Sequence, residues 1–153
     1  MAKVDDYIRP FNPMVTAILR SRLHMLLSGA LCVVSWSGRK SGRRFSIPTG
    51  YQRHGDEVIV MLTKPGDKTW WKNFRSPWPA ELLLAGRERT AMGDVVPAGS
   101  ERFTQLVEQT VRATPWMAKQ FGLEGFDPTI GWTPELRQQA ALGAAAVCFE
   151  LTD

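Results

Sequence analysis

The sequence predicts a mainly β, α+β protein: a small antiparallel barrel with helices added at its ends. Three observations predict it. Six short apolar or alternating segments recur between Leu31 and Leu151, each the length of a strand. The first of them are joined by glycine-bearing turns too short for a parallel crossover, which takes a dozen residues or more. The longer runs of apolar residues at helical spacing lie before 30 and after 97. At 153 residues the chain has the length of one compact domain. Its 44% hydrophobic and 22% charged residues are those of an ordinary globule and exclude a disordered chain.

Residues 1–12 read as an extended arm. Asn12 and Pro13 then supply an N-cap and a proline at the first helical position. Val15, Ile18, Leu19, Leu23, Leu26 and Leu27 recur at helical spacing up to Gly29, so a helix is expected over 13–28. Its other face carries Thr16, Arg20, Ser21 and His24. Such a helix either packs on the domain or rests on an anionic membrane surface.

The barrel core is expected over about 30–96. Leu31–Trp36 is a short apolar strand, and 38–42 a turn rich in cations. Phe45, Ile47, Thr49 and Tyr51 alternate with Ser46, Gly50 and Gln52, the pattern of a strand with one buried face. Pro48 cannot donate to a ladder and marks an edge or a bulge. His54-Gly55-Asp56 is a hairpin turn, and the continuously apolar Val58–Leu62 a central strand. Pro65-Gly66 breaks the chain, and Asp67 can cap a short helix over 67–75. Gly86-Arg87 turns strand Glu81–Ala85 into strand Glu88–Val96.

Residues 97–145 read as a helical lid. Ser100 caps a helix with Phe103, Leu106, Val107, Thr110 and Val111 on one face. Pro115–Phe121 is a second helix closed by Gly122, and Thr133-Pro134-Glu135 starts a third. Ala146–Leu151 is the final strand.

Cys32 and Cys148 each sit inside an apolar run with no Cys-x-x-Cys, and read as small buried residues in a reduced cytosol. No metal site is expected. The first ten residues carry Asp5 and Asp6 and no hydrophobic region, so no signal peptide is expected. No apolar run approaches the roughly 20 residues of a membrane span. A cytoplasmic protein is therefore expected, with peripheral membrane contact through the helix over 13–28 left open.

The net charge of +4 is concentrated in two clusters, at 39–44 and 64–75. Local clusters suit an anionic small molecule, whereas nucleic acid needs a broader field. The first cluster is Gly38-Arg39-Lys40-Ser41-Gly42-Arg43-Arg44, which combines close backbone approach, four cations and a hydroxyl. It lacks the spacing of a nucleotide P-loop, and by composition alone it is equally a solvated basic hairpin. The second is Lys64-Pro65-Gly66-Asp67-Lys68-Thr69-Trp70-Trp71-Lys72-Asn73. On a helix its adjacent indoles point about 100° apart, so that one can face the core and the other a cleft. Asn73, three residues on, shares the face of Trp70. Two core tryptophans at a helix start give the same pattern.

With these segments in view, the chain resembles the deazaflavin-dependent nitroreductase family of actinobacteria, within the split-β-barrel flavin and deazaflavin oxidoreductases. The resemblance rests on residues 37–42, Ile47-Pro48, His54-Gly55-Asp56, Lys64 and Trp70-Trp71-Lys72-Asn73, and spans about 23–96. It implies a flavin-reductase-like split barrel and the 8-hydroxy-5-deazaflavin coenzyme, with its multiply anionic tail. By position, Arg39, Lys40, Ser41 and Gly42, helped by Arg43 or Arg44, would hold the tail. Pro48, Thr49, Thr63 and Lys64 would line the ring's edge, and Trp70 and Asn73 would close its far side; Lys68 and Trp71 are counted among the cofactor-binding residues, and which of the two indoles faces the ring stays open. Here Arg44-Phe45 follows the glycine where the family often has proline then arginine, and the loop from Lys64 to Trp70 is short.

The resemblance further implies a reductase of quinones, nitroaromatics or similar conjugated acceptors, with the hydride chemistry carried by the cofactor and no catalytic side chain. Trp116, Phe121, Phe126 and Trp132 offer aromatic surface to roof a substrate, or ordinary core packing. Split barrels of this type commonly pair, so a homodimer is expected. Two other readings stay open: a non-catalytic carrier of a fatty acid or other apolar ligand, and a flavin mononucleotide (FMN) binder.

Overall fold

The computed structural model describes residues 31–127 and 129–153; the arm over 1–12 and the helix over 13–28 lie outside the described residues. The described residues form seven strands: β1 (Leu31–Ser37), β2 (Arg44–Gly50), β3 (Gln52–His54), β4 (Glu57–Thr63), β5 (Trp78–Leu84), β6 (Arg87–Val96) and β7 (Ala144–Leu151). They form one sheet in the order β2-β1-β5-β6-β7-β4-β3. The pairs β1–β2, β1–β5, β3–β4 and β5–β6 are antiparallel. The α+β, antiparallel expectation is met.

The seventh strand comes from a break the sequence did not announce. The run expected as one strand over 45–52 divides at Tyr51. Before it, Gly50 pairs with Leu31 of β1; after it, Gln52 pairs with Ile59 of β4. One continuous piece of chain thus supplies both ends of the sheet order. The expected alternation of β2 is absent as well. Residues 44–49 are all half-buried, because an end strand has a neighbour on one side only. Pro48, opposite Val33, sits on this edge strand as its missing donor requires.

The chain divides into two compact units. The first comprises residues up to Val60, Ser76–Asp94 and Cys148–Asp153. Val33, Val34, Val58, Ile59, Val60, Leu82 and Phe149 are at most 1% exposed there, which explains the uninterrupted apolar runs of β1 and β4. The β5–β6 turn is Ala85-Gly86, one residue earlier than expected, with φ of 48° and 80°. A two-residue hairpin loop needs both central residues at positive φ. The turn at Gly55 (φ 64°) is as expected.

The second unit comprises Met61–Arg75 and Val95–Val147. Its helices are α1 (Glu101–Ala113), α2 (Met117–Gln120) and α3 (Pro134–Gly143). Ser100 Oγ accepts from Phe103 N at 3.1 Å and Thr133 Oγ1 from Leu136 N at 3.1 Å, the caps the sequence signalled. The apolar face of α1 is buried as expected. Helix α2 is a single turn, shorter than 115–121. Strand β7 begins at Ala144 rather than Ala146, because α3 runs into it without a loop. The expected α-helix over 67–75 is instead two 3-10 turns, Pro65–Asp67 and Trp70–Phe74. Asp67 closes the first of these, and the residue at the cap of the second is Thr69, with no side-chain cap bond.

Candidate functional site

The two cation clusters fall in different units. In the first unit, residues 38–43 form a closed loop between β1 and β2. Gly38 N donates to Arg43 O at 2.8 Å, Gly42 N to Gly38 O at 2.9 Å, and Arg43 N to Ser41 Oγ at 3.2 Å. A β-carbon on Gly38 would meet Ser41 Oγ at 3.0 Å and the Phe45 ring at 3.1 Å, and Gly42 takes φ 70°. The backbone thus favours glycine at position 42, and a side chain at position 38 would require Ser41 and Phe45 to give way.

The four cations have different surroundings. Arg39 Nη2 donates to the carbonyls of Ser76 (2.6 Å) and Pro77 (3.0 Å), and its guanidinium lies 4.3 Å over the Trp78 ring. Trp78 Nε1 donates to Ser37 O at 2.7 Å. Arg44 pairs with Glu81 across β1. Lys40 and Arg43 are exposed and make no ion pair among the described residues. An anion arriving at this loop finds two available cations rather than four, with the Ser41 hydroxyl between them. Pro48 and Thr49 are half-buried on β2, and Thr49 Oγ1 donates to Gly50 O at 3.3 Å.

In the second unit, β4 ends at half-buried Thr63, whose carbonyl accepts from Lys68 Nζ. Lys64 follows in the left-handed region, φ 49° and ψ 58°, with its N–H directed at Gly143 O at 3.4 Å. A lysine there is strained, and such strain clusters where backbone geometry serves a site. Trp71 Nε1 donates to Pro65 O (3.0 Å) and Lys68 O (3.1 Å), so this indole ties the loop down, and Arg75 lies 5.3 Å from its ring. Trp70 meets Phe74 edge-on at 6.2 Å. Residues three apart eclipse on a 3-10 turn, so Trp70 and half-buried Asn73 share a face.

Of the four aromatic residues expected as a roof, Trp116 is 66% exposed, Phe121 is fully buried and Phe126 is 9% exposed. Trp132 is half-buried; it lies 4.5 Å from the Phe126 ring and donates to Glu108 Oε1 at 3.2 Å. His54 is exposed at its turn, 3.5 Å from Gln52 Oε1. Cys32 is buried, which pushes its thiol up to about 12, and half-buried Cys148 lies 3.5 Å from Glu57 Oε2; neither is in a disulfide. Among the described residues, no cluster of three His, Cys, Asp or Glu could hold a metal, and no helix is long and apolar enough to cross a membrane.

Two contributors were invisible in the sequence. Trp78 and Gly143 act across 41 and 79 residues of chain, on Ser37 and Lys64, and only the tertiary structure brings them there.

Solved structures share this architecture. An F420-H2 dependent reductase, FDR-A, superposes with a TM-score of 0.55 at 13% identity, over 78% of this chain and 93% of that one. The chain has the fold of that reductase. A domain-swapped dimer matches at 0.54, 12% identity, 89% of this chain and 99% of that one. HutZ, the heme storage protein from Vibrio cholerae, matches at 0.53, 10% identity, 92% and 89%. The flavin-reductase-like split-barrel class expected from the motif resemblance is the class observed. No family model matches the chain, and no curated protein matches it in sequence.

Proposed function

We propose that the protein is a reductase that binds the reduced deazaflavin coenzyme and uses it on a conjugated acceptor such as a quinone or nitroaromatic. The observation that carries this reading is the 38–43 loop, which presents Lys40 and Arg43 exposed and unpaired among the described residues around the Ser41 hydroxyl. That donor set fits a phosphate- and carboxylate-bearing tail, because exposed cations flanking a hydroxyl can neutralise and hydrogen-bond an anion together. The shared fold with an F420-H2 dependent reductase supports it.

When bound, the coenzyme supplies the hydride. The chain's own groups bind and orient. Lys40, Arg43 and Ser41 hold the anionic tail, while Arg44 is engaged with Glu81. Pro48 and Thr49 are the first unit's candidates for contact with the ring, and Thr63, Lys64, Trp70 and Asn73 are the second unit's. Lys68 and Trp71 set the shape of the second unit's segment through their bonds to backbone carbonyls. Trp116, the exposed indole of the second unit, is the substrate-facing candidate, and Trp132 is half-buried. Phe121 and Phe126 act from the interior. A homodimer belongs to the same reading, one fold neighbour being a domain-swapped dimer.

The test is a titration of the full chain with oxidised deazaflavin coenzyme, beside FMN and a fatty acid, followed by tryptophan fluorescence. Saturable binding of the deazaflavin alone, on the order of micromolar, weakened by Lys40→Ala and by added salt, supports the proposal. Reduction of menadione by the reduced coenzyme then establishes turnover. Binding of neither cofactor overturns it, and retention of acyl chains would turn the assignment to an apolar-ligand carrier.

A further inference from the structure

Arg39 stands first in the basic loop and by position would be counted with the anion ligands. The geometry points to a different role: we propose that Arg39 and Trp78 form a staple that positions the 38–43 loop, leaving anion contact to Lys40 and Arg43. The inference rests on the anion-binding reading of this loop and deepens it.

The staple is reciprocal. Trp78 opens β5 and donates its indole N–H to Ser37 O, the last residue of β1 before the loop begins. Arg39, two residues on, crosses back to donate to Ser76 O and Pro77 O, the two carbonyls just before Trp78. Its guanidinium carbon also lies over the Trp78 ring, 4.3 Å from the centroid. Indole to carbonyl and guanidinium to two carbonyls close a ring of contacts, all inside the first unit, at the root of the loop. A planar fork over an aromatic face is arginine's particular ability; a lysine can supply the charge but not the fork or the stack.

The consequence is local rigidity. Gly38 N and Gly42 N close the loop on Arg43 O and Gly38 O. Fixing residues 37 and 39 against 76–78 holds the frame on which those two bonds depend. Lys40 and Arg43 are thereby presented in one arrangement, and less ordering remains to be done when an anion binds.

The experiment has two arms on the intact chain. The first measures binding of the oxidised deazaflavin coenzyme, and of inorganic tripolyphosphate, across a series of salt concentrations. Lys40→Ala removes a contacting cation and is expected to weaken binding and flatten the salt dependence, as loss of a phosphate contact does. Arg39→Gln and Arg39→Lys are expected to weaken binding by about tenfold with the salt slope retained, because Lys40 and Arg43 still make the contacts. Trp78→Phe, which keeps the ring but removes the donor to Ser37, should behave as the Arg39 variants do.

The second arm needs no ligand. Amide exchange of Gly38 and Gly42 should accelerate in Arg39→Gln and Trp78→Phe and stay unchanged in Lys40→Ala. A flattened slope in Arg39→Gln, full binding by Arg39→Lys, or unchanged exchange in Arg39→Gln would each overturn the staple. If the unaltered protein binds neither ligand, the cofactor reading falls and the exchange arm still decides the role of Arg39.

Discussion

The carbonyl oxygen of Phe121 lies 2.0 Å from the point that a β-carbon on Gly143 would occupy. Backbone, not a movable side chain, fills that space, so a side chain there must displace α3 from the segment after α2. Gly143 O also accepts from Lys64 N, so the same displacement reaches the start of the 64–74 segment. Gly143→Ala should cost about 3 kcal/mol, the upper range for overpacking, measured by urea denaturation. It should also weaken deazaflavin binding. A denaturation midpoint equal to that of the unaltered protein would show that the close approach is relieved some other way.

Lys64 offers the opposite combination. Its left-handed backbone costs on the order of 1 kcal/mol for a residue with a β-carbon, and glycine would remove that strain. Glycine's larger unfolded-state entropy takes back roughly 0.5–1 kcal/mol. Lys64→Gly should therefore leave stability equal or slightly higher while deazaflavin affinity falls, by about tenfold for one lost charge-assisted contact. Stability and binding moving together in this variant would mean that Lys64 acts through folding rather than through the ligand.

Ala85 is the other non-glycine residue at positive φ among the described residues, and it is exposed in a two-residue loop next to Gly86. Asn-Gly is the favoured pair for such a loop, because asparagine tolerates the left-handed region. Ala85→Asn should stabilise the protein by about 0.5–1 kcal/mol, with no effect on ligand affinity since the turn lies in neither cation cluster. A lower melting temperature in Ala85→Asn would contradict the backbone reading.

These residues also mark where sequence reading ended. Runs such as Val58–Leu62 announce a strand buried on both faces, and Ser100 and Thr133 announce helix starts through their own side chains. Both signals are local. The break at Tyr51 is not, since residues 45–52 alternate throughout and only the competing partners β1 and β4 divide them. Charge is legible as composition but not as availability. Nothing near Arg39 in the chain foretells carbonyls 37 and 38 residues away, and nothing near Arg44 foretells Glu81. The four-cation cradle read from the sequence thus became two available cations and two engaged ones. The Trp70–Asn73 alignment survived a change of helix type only because a separation of three suits both.

The last strand ends in a clasp that should be visible in acid. Asp153 Oδ1 accepts from Arg89 Nε at 2.8 Å and Oδ2 from Thr90 N at 3.2 Å, while Thr152 N donates to Thr90 O at 2.9 Å. The Arg89 hydrogen bond holds the Asp153 carboxyl below its usual value of 3.8, with partial burial opposing and the Thr90 N–H adding to the effect. A carboxylate whose folded value is depressed stabilises the fold above its unfolded value, and that contribution disappears as pH falls through the folded one. Asp153→Asn should therefore be less stable than the unaltered protein at pH 7, by urea denaturation. The difference should shrink as pH is lowered below about 4. Subtracting the two curves cancels the other carboxylates, including Asp127, whose bonds from Thr129 also lower it. If the difference between the two proteins were the same at pH 3 as at pH 7, the clasp would be acting through shape or backbone geometry and not through the charge on Asp153.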